Sequence, residues 1–262
     1  VYSENPNNLA IPYQAAPRPT VQPIEAAHTI ADKILADIDT ARSYLATDPI
    51  RLTGADGSLY NQRFNYYAAL ALDARSSLYF GKKERAMNCV KILIAEAPLR
   101  FPWAPKDGQS GDRETNSLFP SEIIFRLNQP TLRQQYLNYF DPTLNNEAFL
   151  SPLVERLQQV YEANPSDLRY TWNWQFELNP LGISVPVFIR YRLNGPGYIP
   201  LFRISESFLI AAECEPGSER AFGYLDSLGM QRNAIPIKHV QLKNELIQSY
   251  QKEFWGEGQM FF

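Results

Sequence analysis

The residues of this chain best suited to binding chemistry are four aromatics and the polar side chains interleaved with them. Trp103 stands between prolines in Phe101-Pro-Trp-Ala-Pro105, while Tyr170, Trp172 and Trp174 alternate with Arg169, Asn173 and Gln175. Sugar rings offer apolar C–H faces that stack on aromatic planes, and their hydroxyls need amide or guanidinium partners nearby. Strand alternation over 166–176 would put Trp172 and Trp174 on one face and Asn173 and Gln175 on the other. That leaves two readings open: a half-buried strand whose aromatics enter the core, or a stacking surface for a saccharide. Trp103, flanked by prolines, is the better candidate for an exposed ring.

Catalytic patterns are scarcer. The chain has no Gly-rich phosphate loop, no Gly-x-Ser-x-Gly elbow and no His-Glu-x-x-His. Glu122, Asp167, Glu177 and Glu206 could in principle serve as paired carboxylates for glycoside hydrolysis, but spacing in sequence does not pair them. Two cysteines (Cys89, Cys214) and two histidines (His28, His239) lie too far apart for a zinc pattern. Both cysteines read as small core residues, and nothing requires a disulfide between them. No compact Asp/Asn loop marks a calcium site; no cofactor is expected, and a structural Ca²⁺ stays open.

The elements that must position these residues are mostly helices. Apolar residues recur at helical spacing over 24–45 (Ala27, Ile30, Ala31, Ile34, Ile38, Ala41, Leu45). They recur again over 64–79 and, after Gly81, from Ala86 to Ile94, predicting an antiparallel hairpin like a tetratricopeptide unit. Residues 198–213 read as another helix, with Pro200 in its first turn and Arg203 and Glu206 close enough to pair on its surface. A helix over 219–233 completes a second hairpin. Between the two blocks, 98–197 is a loop-rich excursion with a short strand near 121–127, short helices over 131–140 and 152–163, and a strand over 166–176 paired with 185–193. Residues 1–23 read as loop. The 262 residues thus form a single mainly α domain: helices over 24–97, an excursion over 98–197 where ligand contacts would lie, and a helical hairpin region over 198–262.

Composition narrows the function classes. The 45% hydrophobic and 20% charged content is that of a globular protein. A formal net charge of −3 without a Lys/Arg run lacks the basic footprint of a nucleic-acid binder. No apolar run is long enough to span a bilayer. Val1 and the apolar ending Met260-Phe-Phe262 suggest an internal piece of a longer protein, any targeting segment lying upstream.

Several segments, in order, resemble the SusD/RagB family of outer-membrane lipoproteins. They are Ile30-Ala-Asp-Lys-Ile-Leu-Ala-Asp-Ile-Asp39; the hairpin from Ala68 through Arg75, Tyr79 and Gly81 to Ala86; Ser121-Glu-Ile-Ile-Phe125; Ser166-Asp-Leu-Arg169; Pro200-Leu-Phe-Arg-Ile-Ser-Glu-Ser-Phe-Leu-Ile-Ala-Ala-Glu213; and Glu253-Phe-Trp-Gly-Glu-Gly-Gln259. The resemblance implies an α/α superhelix of tetratricopeptide-like hairpins with long excursions. It implies non-enzymatic capture of glycans at the cell surface and delivery to a SusC-like TonB-dependent transporter. It also implies a lipid anchor upstream of Val1 and family segments missing at both ends. Within it, Arg75, Arg203, Glu206, Glu213 and Glu253 are scaffold residues. Trp103, Arg169, Tyr170, Trp172, Asn173 and Trp174 are the candidate ligand contacts from the residues alone. The alternatives are an all-helical glycoside hydrolase and a helical-repeat scaffold for peptides.

Overall fold

A computed structural model describes residues 5–17, 20–106, 116–145, 147–192 and 197–259. The Gly/Asp/Ser-rich stretch at 107–115, Leu193 and the last three residues of the sequence lie outside them.

Residues expected to be irregular at the start form a ribbon: β1 (Leu9–Pro12) pairs antiparallel with β2 (Ile24–Ala26). Helix α1 (Ala27–Tyr44) therefore begins at Ala27 rather than Ile24, and buries Ala27, Ile30, Ala31, Leu35 and Ile38. A single turn, α2 (Pro49–Leu52), is capped by Asp48, whose carboxylate accepts from the Ile50 N–H. Helices α3 (Tyr66–Tyr79) and α4 (Lys83–Glu96) make the expected hairpin. Asn65 caps α3 by accepting from Ala68 N–H, and Gly81 makes the turn at φ 71°, where a side chain would be strained. Inside the hairpin, buried Asp73 accepts from Arg85, Arg42 and Ser77. Burial raises the Asp73 pKa, but Arg85 and Ser77 outweigh it and hold the carboxyl below its ordinary value.

The excursion carries β3 (Ile123–Asn128), α5 (Leu132–Phe140), α6 (Val154–Val160), α7 (Leu168–Asn173), β4 (Trp174–Leu178) and β5 (Ser184–Phe188), and β6 (Tyr198–Arg203) follows it. β4 pairs with β5, and β3 with β6, each antiparallel. Two expectations are corrected here. Residues 168–173 are helical, capped by Asp167, and the strand begins only at Trp174. Residues 198–203 are a strand, and the helix α8 (Ile204–Cys214) starts after Arg203. Pro200 is tolerated because β6 has a neighbour on one side only.

Among the described residues α8 is buried nearly all round, with Glu213 its exposed member. It packs against α3, α4 and α9 (Ser218–Gln231), and against α10 (Leu242–Phe254). A helix buried on nearly every side belongs at the centre of a fold. Leu242, Leu246, Tyr250 and Phe254 dock α10 beside Phe208, Leu209 and Phe222. Cys89 and Cys214 are buried free thiols, pushed up by burial to about 12 and about 11.

Candidate ligand groove and the buried charge cluster

The aromatic and polar residues marked in sequence go mostly inward. Trp172 packs on Phe119, Ala104 and Leu168. Trp174 packs on Phe188 and Trp255. The two tryptophans enter different clusters because one ends a helix and the other begins a strand, so they do not share a face. Asn173 is wholly buried, and Arg169 is 3% exposed. Tyr170 is half-buried, its ring 5.5 Å from that of Tyr161. Trp103 is half-buried, packed on Phe208, with the Arg232 guanidinium 5.2 Å from its ring. These six residues form no exposed stacking surface.

What they surround is a buried cluster of charge. Glu253 on α10 accepts from Arg203 Nη1 at 2.7 Å and from Arg232 Nη2 at 2.8 Å. Arg232 also donates to both oxygens of Glu122, at 2.8 and 2.5 Å. Arg203 and Arg190 converge on Glu257 Oε1, each at 2.6 Å. The Arg190 contact is an ion pair by proximity, its N–H groups not aligned for a hydrogen bond. Arg169 is held by Asp167 at 2.6 Å and lies 3.6 Å from Glu253. Four guanidinium groups thus face four carboxylates, Glu122, Asp167, Glu253 and Glu257. Phe119, at φ 51°, lies within 6.0 Å of three of the guanidinium groups.

Burial raises the Glu253 pKa, yet Arg232 and Arg203 overcome it and hold the carboxyl well below its usual range. The neighbouring expectation of an Arg203–Glu206 pair is corrected. Arg203 ends a strand and points to Glu253 and Glu257, whereas Glu206 opens the following helix and holds Arg75 at 2.6 Å. Glu213 accepts from Tyr250 at 3.4 Å. The four carboxylates considered for hydrolysis are each in an ion pair: Glu122 with Arg232, Asp167 with Arg169, Glu177 with Arg192, Glu206 with Arg75. Among the described residues no three His, Cys, Asp or Glu side chains are grouped to hold a metal.

An open concavity lies on the other side of α10. Helices α6 and α10 enclose an open groove of about 260 Å³, lined by Arg156, Gln159, Val160, Asn244, Ile247, Gln248 and Gln251. The lining comes at helical spacing from both helices, 156/159/160 and 244/247/248/251. Gln248 Nε2 donates to Val160 O at 3.2 Å, pinning one helix to the other. The side chains of Arg156, Gln159 and Gln251 make no hydrogen bond or ion pair with the described residues, so their donors and acceptors face solvent. Gln248 also lines a deeper cleft of about 20 Å³ with Glu162, Lys252, Leu228 and Gly229, room for one water-sized molecule. Glu162, which lines it, and the next residue Ala163 both have positive φ, a left-handed conformation costly for non-glycine residues. Sequence reading missed α10 and with it this groove. The four-residue spacing of Leu242, Leu246, Tyr250 and Phe254 was the available signal.

This architecture has close structural counterparts. A SusD superfamily protein from Bacteroides thetaiotaomicron superposes with a TM-score of 0.75 at 20% identity, over 99% of this chain and 60% of its own. This is the SusD-like fold. A SusD-like carbohydrate-binding protein from Bacteroides vulgatus shares it with a TM-score of 0.72 at 17% identity, over 98% of this chain and 56% of its own. Surface glycan-binding protein A from Bacteroides uniformis shares it with a TM-score of 0.70 at 15% identity, over 96% and 60%. The chain spans about 60% of the length of these structures. No family model and no curated protein matches the sequence. The mainly helical fold expected from sequence is the one observed, and no described helix is long and apolar enough to cross a membrane.

Proposed function

We propose that this chain captures saccharides without breaking them and hands them to a TonB-dependent outer-membrane transporter of the SusC type, held at the cell surface by a lipid anchor. The observation that carries the reading is fold agreement over nearly the whole chain with proteins named for carbohydrate and glycan binding. The transporter, the anchor and the outer-membrane location rest on the family resemblance. The α6/α10 groove is the binding site in this reading. Amide side chains both donate and accept, as sugar hydroxyls do, and Ile247 offers an apolar face to ring C–H groups. Binding without hydrolysis is supported by the ion pairing of Glu122, Asp167, Glu177 and Glu206, which occupies the carboxylates that acid–base work would need free.

Calorimetry against a panel of oligosaccharides, with chromatography of the same mixtures afterwards, tests this. The expected result is binding heat from at least one saccharide and no shorter product. Released sugar would overturn the non-enzymatic reading, and no heat from any saccharide would overturn the ligand class.

A further inference from the structure

The groove lining carries a positive charge. Among the described residues Arg156 is the sole charged one in its lining, and no carboxylate lines it. Acidic groups stand on the packed elements around it: Glu155, which precedes Arg156 on α6, and Glu162, engaged by Lys252 Nζ, and Glu245, which line the adjoining cleft. Arg156 itself is exposed and pairs with none of the described residues. The whole chain carries a formal charge of −3, whereas the charged side chain in the groove lining is a cation. A guanidinium also matches a carboxylate in shape, giving two parallel hydrogen bonds.

We infer that the groove selects an acidic saccharide, one uronic-acid ring seated against Ile247 and the amides with its carboxylate on Arg156. This rests on the saccharide-binding reading above and goes beyond it in naming the sugar class. The size agrees: about 260 Å³ is below the ~300–1,000 Å³ typical of drug-sized ligands, so one ring enters and the rest of a chain extends outward. Gln159, Asn244 and Gln251 meet the ring hydroxyls. Gln248 is held by Val160 O and sets the groove width.

The test uses 1,4-linked digalacturonate and its carboxyl-reduced neutral counterpart as probes. Affinity is measured by calorimetry, and the side-chain amide resonances of Gln159, Asn244, Gln248 and Gln251 are followed by NMR. Digalacturonate is expected to bind at least tenfold more tightly than the neutral probe and to shift the groove amides. R156Q, at an exposed position, is expected to remove that preference while leaving the melting temperature unchanged. Equal affinity for the two probes, or an unchanged preference in R156Q, overturns the inference. Heat without movement of the groove amides overturns the groove as the site while the saccharide-binding reading stands. Absence of heat from these probes together with the wider panel overturns both.

Discussion

Helix α10 has two polar faces with opposite fates. On one, Glu253 is wholly buried and locked between Arg203 and Arg232; on the other, Gln251, two residues earlier, faces the groove with its amide unengaged. The difference teaches how to read polar residues in this fold. Charge that is buried and ion-paired holds segments together: the cluster ties the excursion (Asp167, Arg169, Arg190) to β6, the residue after α9 and the segment after α10 (Arg203, Arg232, Glu257). Polar atoms that line a concavity without internal partners are available to a ligand. The aromatic stretch 170–174, which composition alone makes attractive for sugar stacking, belongs to the first kind of region.

The largest expected effect comes from breaking the cluster. Glu253→Gln leaves Arg203 and Arg232 buried and under-compensated, which costs about 3–5 kcal/mol. The pH dependence follows from the lowered Glu253 pKa. Its contribution is complete above the ordinary carboxylate range and is lost progressively as pH falls from that range through the depressed folded-state value. Acid titration of unfolding should therefore show wild type losing this stability at low pH while Glu253→Gln lacks that portion of the slope. A comparable loss, about 3–5 kcal/mol, is expected for Trp172→Ala by the cavity left against Phe119 and Leu168. Denaturant unfolding measures it, and saccharide affinity of the folded fraction should be unchanged; a selective loss of affinity would return Trp172 to the binding site. Gln251→Ala should shift stability by no more than about 0.5 kcal/mol, since nothing internal depends on its amide, while weakening saccharide binding.

Much of the scaffold was legible in the sequence because helical period survives wherever a helix has one buried face. The α3–α4 hairpin and its Gly81 turn are plain, and the order of matching segments led to the fold. The errors have physical causes. Pro200 suits a first helical turn and an edge strand alike, and the edge strand prevails because β3 pairs beside it. The alternating aromatics over 170–174 imitate a strand, yet Asp167 accepts from Arg169 N–H at 2.9 Å and starts a helix instead. The ion-pair partners of Arg203 lie 50 and 54 residues away, beyond any local spacing rule. The groove was illegible for the same reason: its two walls are 84 or more residues apart at their nearest lining positions, Val160 and Asn244, and glutamines on a helix surface look like ordinary solvated residues.

One paired measurement tests the account most directly: melting temperature and saccharide affinity of Gln251→Ala beside Glu253→Gln. The two variants should cross. Gln251→Ala keeps the wild-type melting temperature and loses affinity, while Glu253→Gln melts roughly 6–20 °C lower and, where folded, binds as wild type. Weakened binding in folded Glu253→Gln with an unchanged melting temperature, or unaltered binding in Gln251→Ala, would contradict it.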